Sequence, residues 1–264
     1  MAGKSIAEIK KEYDLIKSMG VMEFKEQIAA IDKFALSYMA DERAGVEKIV
    51  DSAIMFKNTV KAELGRINSM MRYERKHAGV YHKICGVDEV GRGPLAGPIV
   101  AAAVILPPEM IIPYLNDSKL LTEKRREELY DIIMENAVAV GIGIRSESFI
   151  DEKGIQAADT GAMREAVESL AVPADMILVD AFEIPDVIVK QEPIIKGDTL
   201  SVSIAAASII AKVTRDRMMV ELAKKYPGYD FEKNKGYGSP KHIAALKTVG
   251  PCEIHRRSFI KNFV

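Results

Sequence analysis

The chain has 264 residues, 48% of them hydrophobic, with two cysteines and a formal net charge of -1. That is enough apolar material for one large domain, or one domain plus an appendage. The charge balance excludes a polycation that binds nucleic acid by bulk electrostatics, so any nucleic-acid site must be local. No apolar run approaches the roughly 20 residues of a membrane-spanning helix, and the charged, amphipathic start is unlike a signal peptide. A cytoplasmic protein with no membrane partner is expected, and nothing demands more than a monomer. Cys85 and Cys252 lack metal-type spacing and are expected as reduced thiols, with Cys85 in the core.

Residues 1–78 read as a helical N-terminal extension. Ile6, Ile9, Tyr13 and Ile16 recur at helical spacing, Gly20 is a stop, and a second periodic stretch follows from Val21. Asp41 is placed to cap a third, long helix through Val46, Ile49, Ile54, Val60, Leu64 and Ile67. Such an arm serves as a scaffold or a substrate contact, and the pattern does not choose between them.

Strands and helices alternate over residues 79–264. Ile84–Val87 and the β-like Ile99–Leu106 form a hairpin-like pair of strands. Thr122 can cap a helix whose buried stripe is Leu129, Ile132 and Ile133, and Val138–Ile144 reads as a third strand. The helix Ile155–Leu170 then leads to a short apolar strand, Met176–Val179, ending at Asp180 and Ala181; a helix bridging two strands is a parallel crossover signature. Val202–Tyr226 is a long helix whose small residues, Ala205 to Ser208, let it lie close to a sheet. The fold class is therefore α/β, a mixed β-sheet flanked by helices, with a helical extension before it. Lys224, Lys225, Lys233, Lys235, Lys241, His255, Arg256, Arg257 and Lys261 gather near the end, where phosphate contact is plausible against the plainer reading of a solvated basic face.

Gly86-Val87-Asp88-Glu89-Val90-Gly91-Arg92-Gly93 puts two adjacent acids at the end of an apolar strand and follows them with a glycine-rich turn. Unpaired carboxylates there are costly to desolvate and call for cations; hard oxygen ligands suit Mg2+ or Mn2+, and the absence of Cys/His ligand spacing disfavours zinc. Asp180 closes a second apolar strand and Asp198 follows in Lys196-Gly197-Asp198, so four acids can converge at one sheet edge. Two ions in such a cluster fit in-line phosphodiester hydrolysis. Neighbours on a regular strand face opposite ways, so Asp88 and Glu89 require a bulge or a strand end to share a site. The Gly-X-Gly spacing lacks the full dinucleotide fingerprint, which rejects a Rossmann cofactor site.

From Lys83 to Phe259 the sequence resembles ribonuclease HII in DEVGRGPLAGP from Asp88, NDSK from Asn116, ILVDAF from Ile177 and KGD from Lys196. The likeness continues in SIAAASIIAKVTRDR from Ser203, YPGYDFEKNKGYGSPKH from Tyr226 and HRRSF from His255. Many relatives carry a second lysine where Leu120 stands and a histidine at Asn234. The resemblance implies an RNase H-like fold, with Asp88, Glu89, Asp180 and Asp198 as catalytic metal ligands. It also implies that Gly91, Arg92 and Gly93 meet the ribose 2'-hydroxyl region, that Tyr237 packs on the following deoxyribose, and that Lys119 and Lys196 contact phosphate. The expected substrates are RNA/DNA hybrids and duplex DNA with embedded ribonucleotides, cut on the 5' side to leave 3'-hydroxyl and 5'-phosphate ends, as in ribonucleotide excision repair. Val90, and a helical rather than strand-containing N-terminus, argue against the sister family ribonuclease HIII. A junction resolvase has no reason to read a 2'-hydroxyl, a non-catalytic hybrid binder would have lost an acid, and a structural role for the helical arm is separable by deleting residues 1–78.

Overall fold

The computed structural model describes residues 4–264, which fall into two compact units. The first runs to Ser69 and includes Ile111–Tyr114. Its helix α1, Ile6–Lys17, begins at a capping box in which the Ser5 hydroxyl accepts the Glu8 N–H and the Glu8 carboxylate accepts the Ser5 N–H. The chain breaks near Gly20, passes through a 3-10 turn at Val21–Glu23, and continues as α2, Phe24–Tyr38, and α3, Ala44–Met70. The apolar stripes of these helices meet in a small core of Ile9, Tyr13, Ile31, Phe34, Val46, Val50 and Ala53. Asp41 does not cap α3 as expected. The helix starts at Ala44, and Asp41 is spent just before it, accepting the Arg43 N–H at 3.2 Å and the Arg43 guanidinium at 2.6 Å.

The second unit starts with α4, Arg72–His77, and contains a five-stranded sheet. Strand β1 is Ile84–Val90, β2 is Ile99–Ile105, and α5, Glu123–Asn136, is capped by the Thr122 side chain. Leu129 and Ile133 are buried on α5 and Ile132 is half-buried. Next come β3, Ala139–Arg145, α6, Glu147–Lys153, and α7, Ile155–Glu168. Strands β4, Met176–Asp180, and β5, Lys190–Ile194, precede the long α8, Val202–Lys225. Three short helices close the chain: α9, Phe231–Asn234, α10, Pro240–Val249, and α11, Arg257–Ile260.

The strand order is β3-β2-β1-β4-β5, with β1–β2 and β2–β3 antiparallel and β1–β4 and β4–β5 parallel. The expected hairpin is β1–β2. The crossover helix α7 joins β3 to β4, which run parallel with β2 and β1 between them. Helices cover both faces. On one, α8 lies backbone to backbone on β1: a Cβ at Gly86 would sit 2.0 Å from the Ser203 carbonyl carbon, so only glycine permits the approach. On the other, Ala158, Ala162, Met163 and Ala166 of α7 pack with Cys85, Val87, Ala101 and Ala103. Both cysteines are free and Cys85 is fully buried.

Candidate metal and nucleic-acid site

Strand β1 pairs with β2 without interruption from Cys85 opposite Ile105 to Val90 opposite Val100. Its parallel pairing with β4 stops at Val87 opposite Val179. There is no bulge at the two acids. They sit instead beyond the last rung of β4, where one side of β1 is open. Alternation still holds: Asp88 shares the α8 face with Gly86 and lies beside Ser208 of α8, while Glu89 lies on the α7 face near Asp159. Around that open edge the carboxylates still converge, and ligand atoms of Asp88, Glu89 and Asp180 all lie within 4.8 Å of one another.

Asp180 is the last residue of β4, and its Oδ1 accepts the Gly197 N–H at 2.7 Å. That bond fastens the 3-10 turn Gly197–Thr199 to the strand end and so brings Asp198 alongside. Asp198 stands at the edge of the group: it lies within electrostatic reach of Asp180 and Asp88 but outside the tight trio. Lys196 precedes it in a left-handed conformation, φ 58°, with an exposed side chain.

Burial makes these charges expensive. Asp88 is held well above the ordinary carboxylate range, first by desolvation and then by Glu89. Desolvation, with Asp159 and Asp180 adding and Arg92 opposing, pushes Glu89 up to about 7. Asp198 is pushed up to about 6 by burial and by Asp117 and Asp180, against Lys119. A buried cluster that resists its own ionisation, offers only hard oxygen atoms and opens at a strand end fits a divalent cation. Lys119 sits among the same acids; burial pulls its ammonium down, but Asp117, Asp88, Asp198 and Glu89 together hold it above its ordinary value. Its loop is tied to α8 by the Ser208 hydroxyl, which donates to Ser118 at 3.0 Å.

The turn after β1 is built around two fully buried arginines. Gly91 has φ 101°, and a Cβ there would lie 2.4 Å from Arg215 Nε, so the position requires glycine. Arg215 donates to the carbonyls of Pro98 at 2.8 Å, Lys235 at 2.9 Å and Ala96 at 3.1 Å. Arg256 donates to Gly97 at 2.9 Å, Arg92 at 3.0 Å and Gly91 at 2.6 Å. Six backbone carbonyls, five of them between residues 91 and 98, are thereby drawn inward. Arg256 and His255 are therefore not phosphate contacts, contrary to their place in the expected basic group: they are 0% and 1% exposed.

Tyr237 stands over this turn. Its ring is 40% exposed, its Cε1 lies 4.0 Å from a Cβ built on Gly93, and the Arg215 guanidinium is 5.9 Å from its centroid. A buried imidazole pair holds it from behind. The Cys252 N–H donates to His255 Nδ1 at 3.0 Å, which leaves the His255 proton on Nε2 to donate to His242 Nε2 at 2.9 Å; His242 Nδ1–H then donates to the Tyr237 carbonyl at 2.8 Å. This chain requires both rings to be neutral, and burial lowers both, His255 to about 4.

The ten residues singled out from sequence thus group around one edge: three carboxylates together, Asp198 and Lys119 beside them, the Gly91–Gly93 turn next in the chain with Tyr237 over it, and Lys196 exposed next to Asp198. Sequence reasoning missed Asp117, Asp159, Ser208 and Arg215. Asp159 had left a signal, because it falls in the same helical stripe as Ile155, Ala158, Ala162 and Ala166, where a charge is out of place.

Residues 85–262 match the family model described as Ribonuclease HII, and residues 20–78 match that of the Ribonuclease HII N-terminal domain. The chain belongs to the ribonuclease HII family. It is a ribonuclease H, an endonuclease of the hydrolase class. A ribonuclease HII from Lachnoclostridium phytofermentans is 51% identical over 257 residues, 97% of each chain, and one from Bacillus cytotoxicus is 46% identical over 253 residues, 95% of this chain and 94% of that one. Among solved structures, the ribonuclease H2 from Pyrococcus horikoshii OT3 superposes with a TM-score of 0.55 at 27% identity, covering 67% of this chain and 93% of that one. The RNase HII in a PCNA complex from Archaeoglobus fulgidus gives 0.53 at 26%, covering 66% and 94%. These superpositions establish the RNase H-like fold. Among the described residues no helix is long and apolar enough to cross a membrane.

Proposed function

We propose that this ribonuclease HII cuts the RNA strand of RNA/DNA hybrids and nicks duplex DNA on the 5' side of an embedded ribonucleotide, leaving 3'-hydroxyl and 5'-phosphate ends. The observation that carries this reading is the placement of a three-carboxylate cluster directly before a glycine-arginine-glycine turn that has a tyrosine ring over it. Mg2+ or Mn2+, two ions in the working complex, held by Asp88, Glu89, Asp180 and Asp198, would supply activation of water and neutralise charge on the cleaved phosphate. The chain itself does the selecting. The Gly91–Gly93 backbone, held by Arg215 and Arg256, offers an approach close enough to read a 2'-hydroxyl, which is how a protein tells RNA from DNA. The exposed face of Tyr237 packs on the next sugar and rejects a second hydroxyl sterically, so that an RNA-to-DNA junction is favoured. Lys119 and Lys196 are suited to contact flanking phosphates. We assign this chemistry to ribonucleotide excision repair and removal of hybrid RNA in the cytoplasm, by a monomer.

The test is cleavage of a labelled DNA duplex carrying one ribonucleotide, with Mg2+ or Mn2+, beside an all-DNA duplex and an Asp88→Asn variant. A nick 5' of the ribonucleotide, absent from both controls, is expected. Folded protein that binds the duplex and leaves it intact with either metal would overturn the reading.

A further inference from the structure

Asp159 is fully buried on α7, in the apolar stripe that packs under the sheet, and neither of its carboxylate oxygens has a hydrogen-bond partner. Its nearest cation is Arg92, whose Nε lies 3.3 Å from Oδ2 without an N–H aligned on it. Arg92 is the side chain of the glycine-arginine-glycine turn. It is 43% exposed, and its only other side-chain partner among the described residues is the ring of Phe182, 5.8 Å away and two positions past Asp180. Arg92 also favours the ionised forms of both Glu89 and Asp159. Asp159 thus anchors, from inside the core, the base of an arginine whose tip faces outward beside the carboxylates.

A carboxylate kept for the fold alone would be hydrogen-bonded, because a buried unpaired charge is among the costliest features a core can carry. Here the fold gives Asp159 no donor and a single imperfectly aligned cation. Sites that lower stability in this way are characteristically retained for function. Resting on the substrate reading above, we propose that Asp159 is a positioning residue: it fixes the Arg92 guanidinium at the turn, so that its outward N–H groups meet the sugar-phosphate of the ribonucleotide being cut. Asp159 itself touches neither substrate nor the trio of acids, and acts through Arg92.

The test is a double-mutant cycle of Asp159→Asn, Arg92→Ala and the pair, read by thermal unfolding, by KM and kcat on the single-ribonucleotide duplex, and by anisotropy of the labelled duplex. Asp159→Asn keeps the shape and removes the charge. It is expected to raise the unfolding temperature while lowering kcat/KM by about tenfold, mostly through KM, the scale of one charged hydrogen bond. In the Arg92→Ala background the same substitution should cost nothing further. A purely structural aspartate predicts the reverse, a lower unfolding temperature with unchanged KM, and that result would overturn the proposal. So would losses that multiply in the double variant, since Asp159 would then act by a route other than Arg92. If the wild type binds the duplex without cutting it, the cleavage reading fails while the Asp159–Arg92 coupling is still decided by the dissociation constants.

Discussion

Glu89 shows what the site costs the fold. Its carboxyl ordinarily titrates near 4.5 and here is pushed up to about 7, first by burial and then by the Asp159 and Asp180 charges. Ionisation is harder in the folded chain than in the unfolded one, so the stability linked to this group is complete below about pH 4.5 and is lost as pH rises through about 7. Asp88 and Asp198 shift in the same direction. Metal-free Glu89→Gln is therefore expected to match wild type in unfolding temperature near pH 4.5 and to exceed it by at least about 2 °C above pH 7. Millimolar Mg2+ or Mn2+ should stabilise the wild type above pH 7 and shrink that gap. Unfolding scans across pH 4–8 with and without chelator check both. A gap that is largest in acid would reverse the sign and remove the argument that the cluster awaits a cation. His255 runs oppositely: with its imidazole depressed to about 4, its contribution is present above about 6.5 and is lost as pH falls, so the Glu89 effect must be read as a difference between variants.

At the scale of elements, α4 and α8 depend on each other. Glu74 of α4 accepts the Ser201 hydroxyl at 2.5 Å and the Ser203 N–H at 3.0 Å, so it satisfies the start of α8, the helix that carries Ser208 to Asp88. Removing residues through 69 should leave the second unit folded, whereas removing residues through 78 takes Glu74 away. The shorter chain, and Glu74→Ala in the full chain, are expected to lose about 1–2 kcal/mol in chemical denaturation, the worth of a buried cap. Equal stability of the two truncations would show that α8 does not need this cap. Elements built on strong periodicity were legible from sequence: α5 with its Thr122 cap, α7, α8, and the apolar strands β1 to β4. Strand β5 was not, because Lys190-Gln191-Glu192-Pro193-Ile194 is a polar edge strand paired only to β4, and its single β-branched residue, Ile194, is too little to betray it. Asp88, Glu89 and Asp180 were legible because charge at the end of an apolar strand is conspicuous, whereas Asp198, in a turn after a polar strand, was read from its place in Lys196-Gly197-Asp198. How Asp88 and Glu89 share one site was not, since it turns on where the neighbouring strand stops. Arg256 was misread as a surface charge, because five of the six carbonyls that it and Arg215 hold lie more than a hundred residues away in sequence.

For the molecule as a whole, a net charge of -1 must be reconciled with a polyanionic substrate. The reconciliation is local: Lys119 and Arg92 lie beside the carboxylate cluster and Lys196 is exposed two positions before Asp198, while Arg215 and Arg256, the most deeply buried cations of the same region, are spent on backbone carbonyls. Binding should therefore depend on salt as a protein with few phosphate contacts does. Each neutralised phosphate contributes about -0.9 to the slope of log K against log salt on a B-form duplex, so three contacts give a slope of about -3. Lys196→Ala is expected to reduce the steepness by about one and to weaken all-DNA and ribonucleotide-containing duplexes equally, because a phosphate contact carries no sugar information. Arg92→Ala should weaken the ribonucleotide duplex more than the all-DNA one. Anisotropy titrations at several salt concentrations measure both quantities together. A slope near -8, or a Lys196→Ala effect confined to the ribonucleotide duplex, would place the phosphate contacts elsewhere, with the exposed lysines of the C-terminal helices next to be tested.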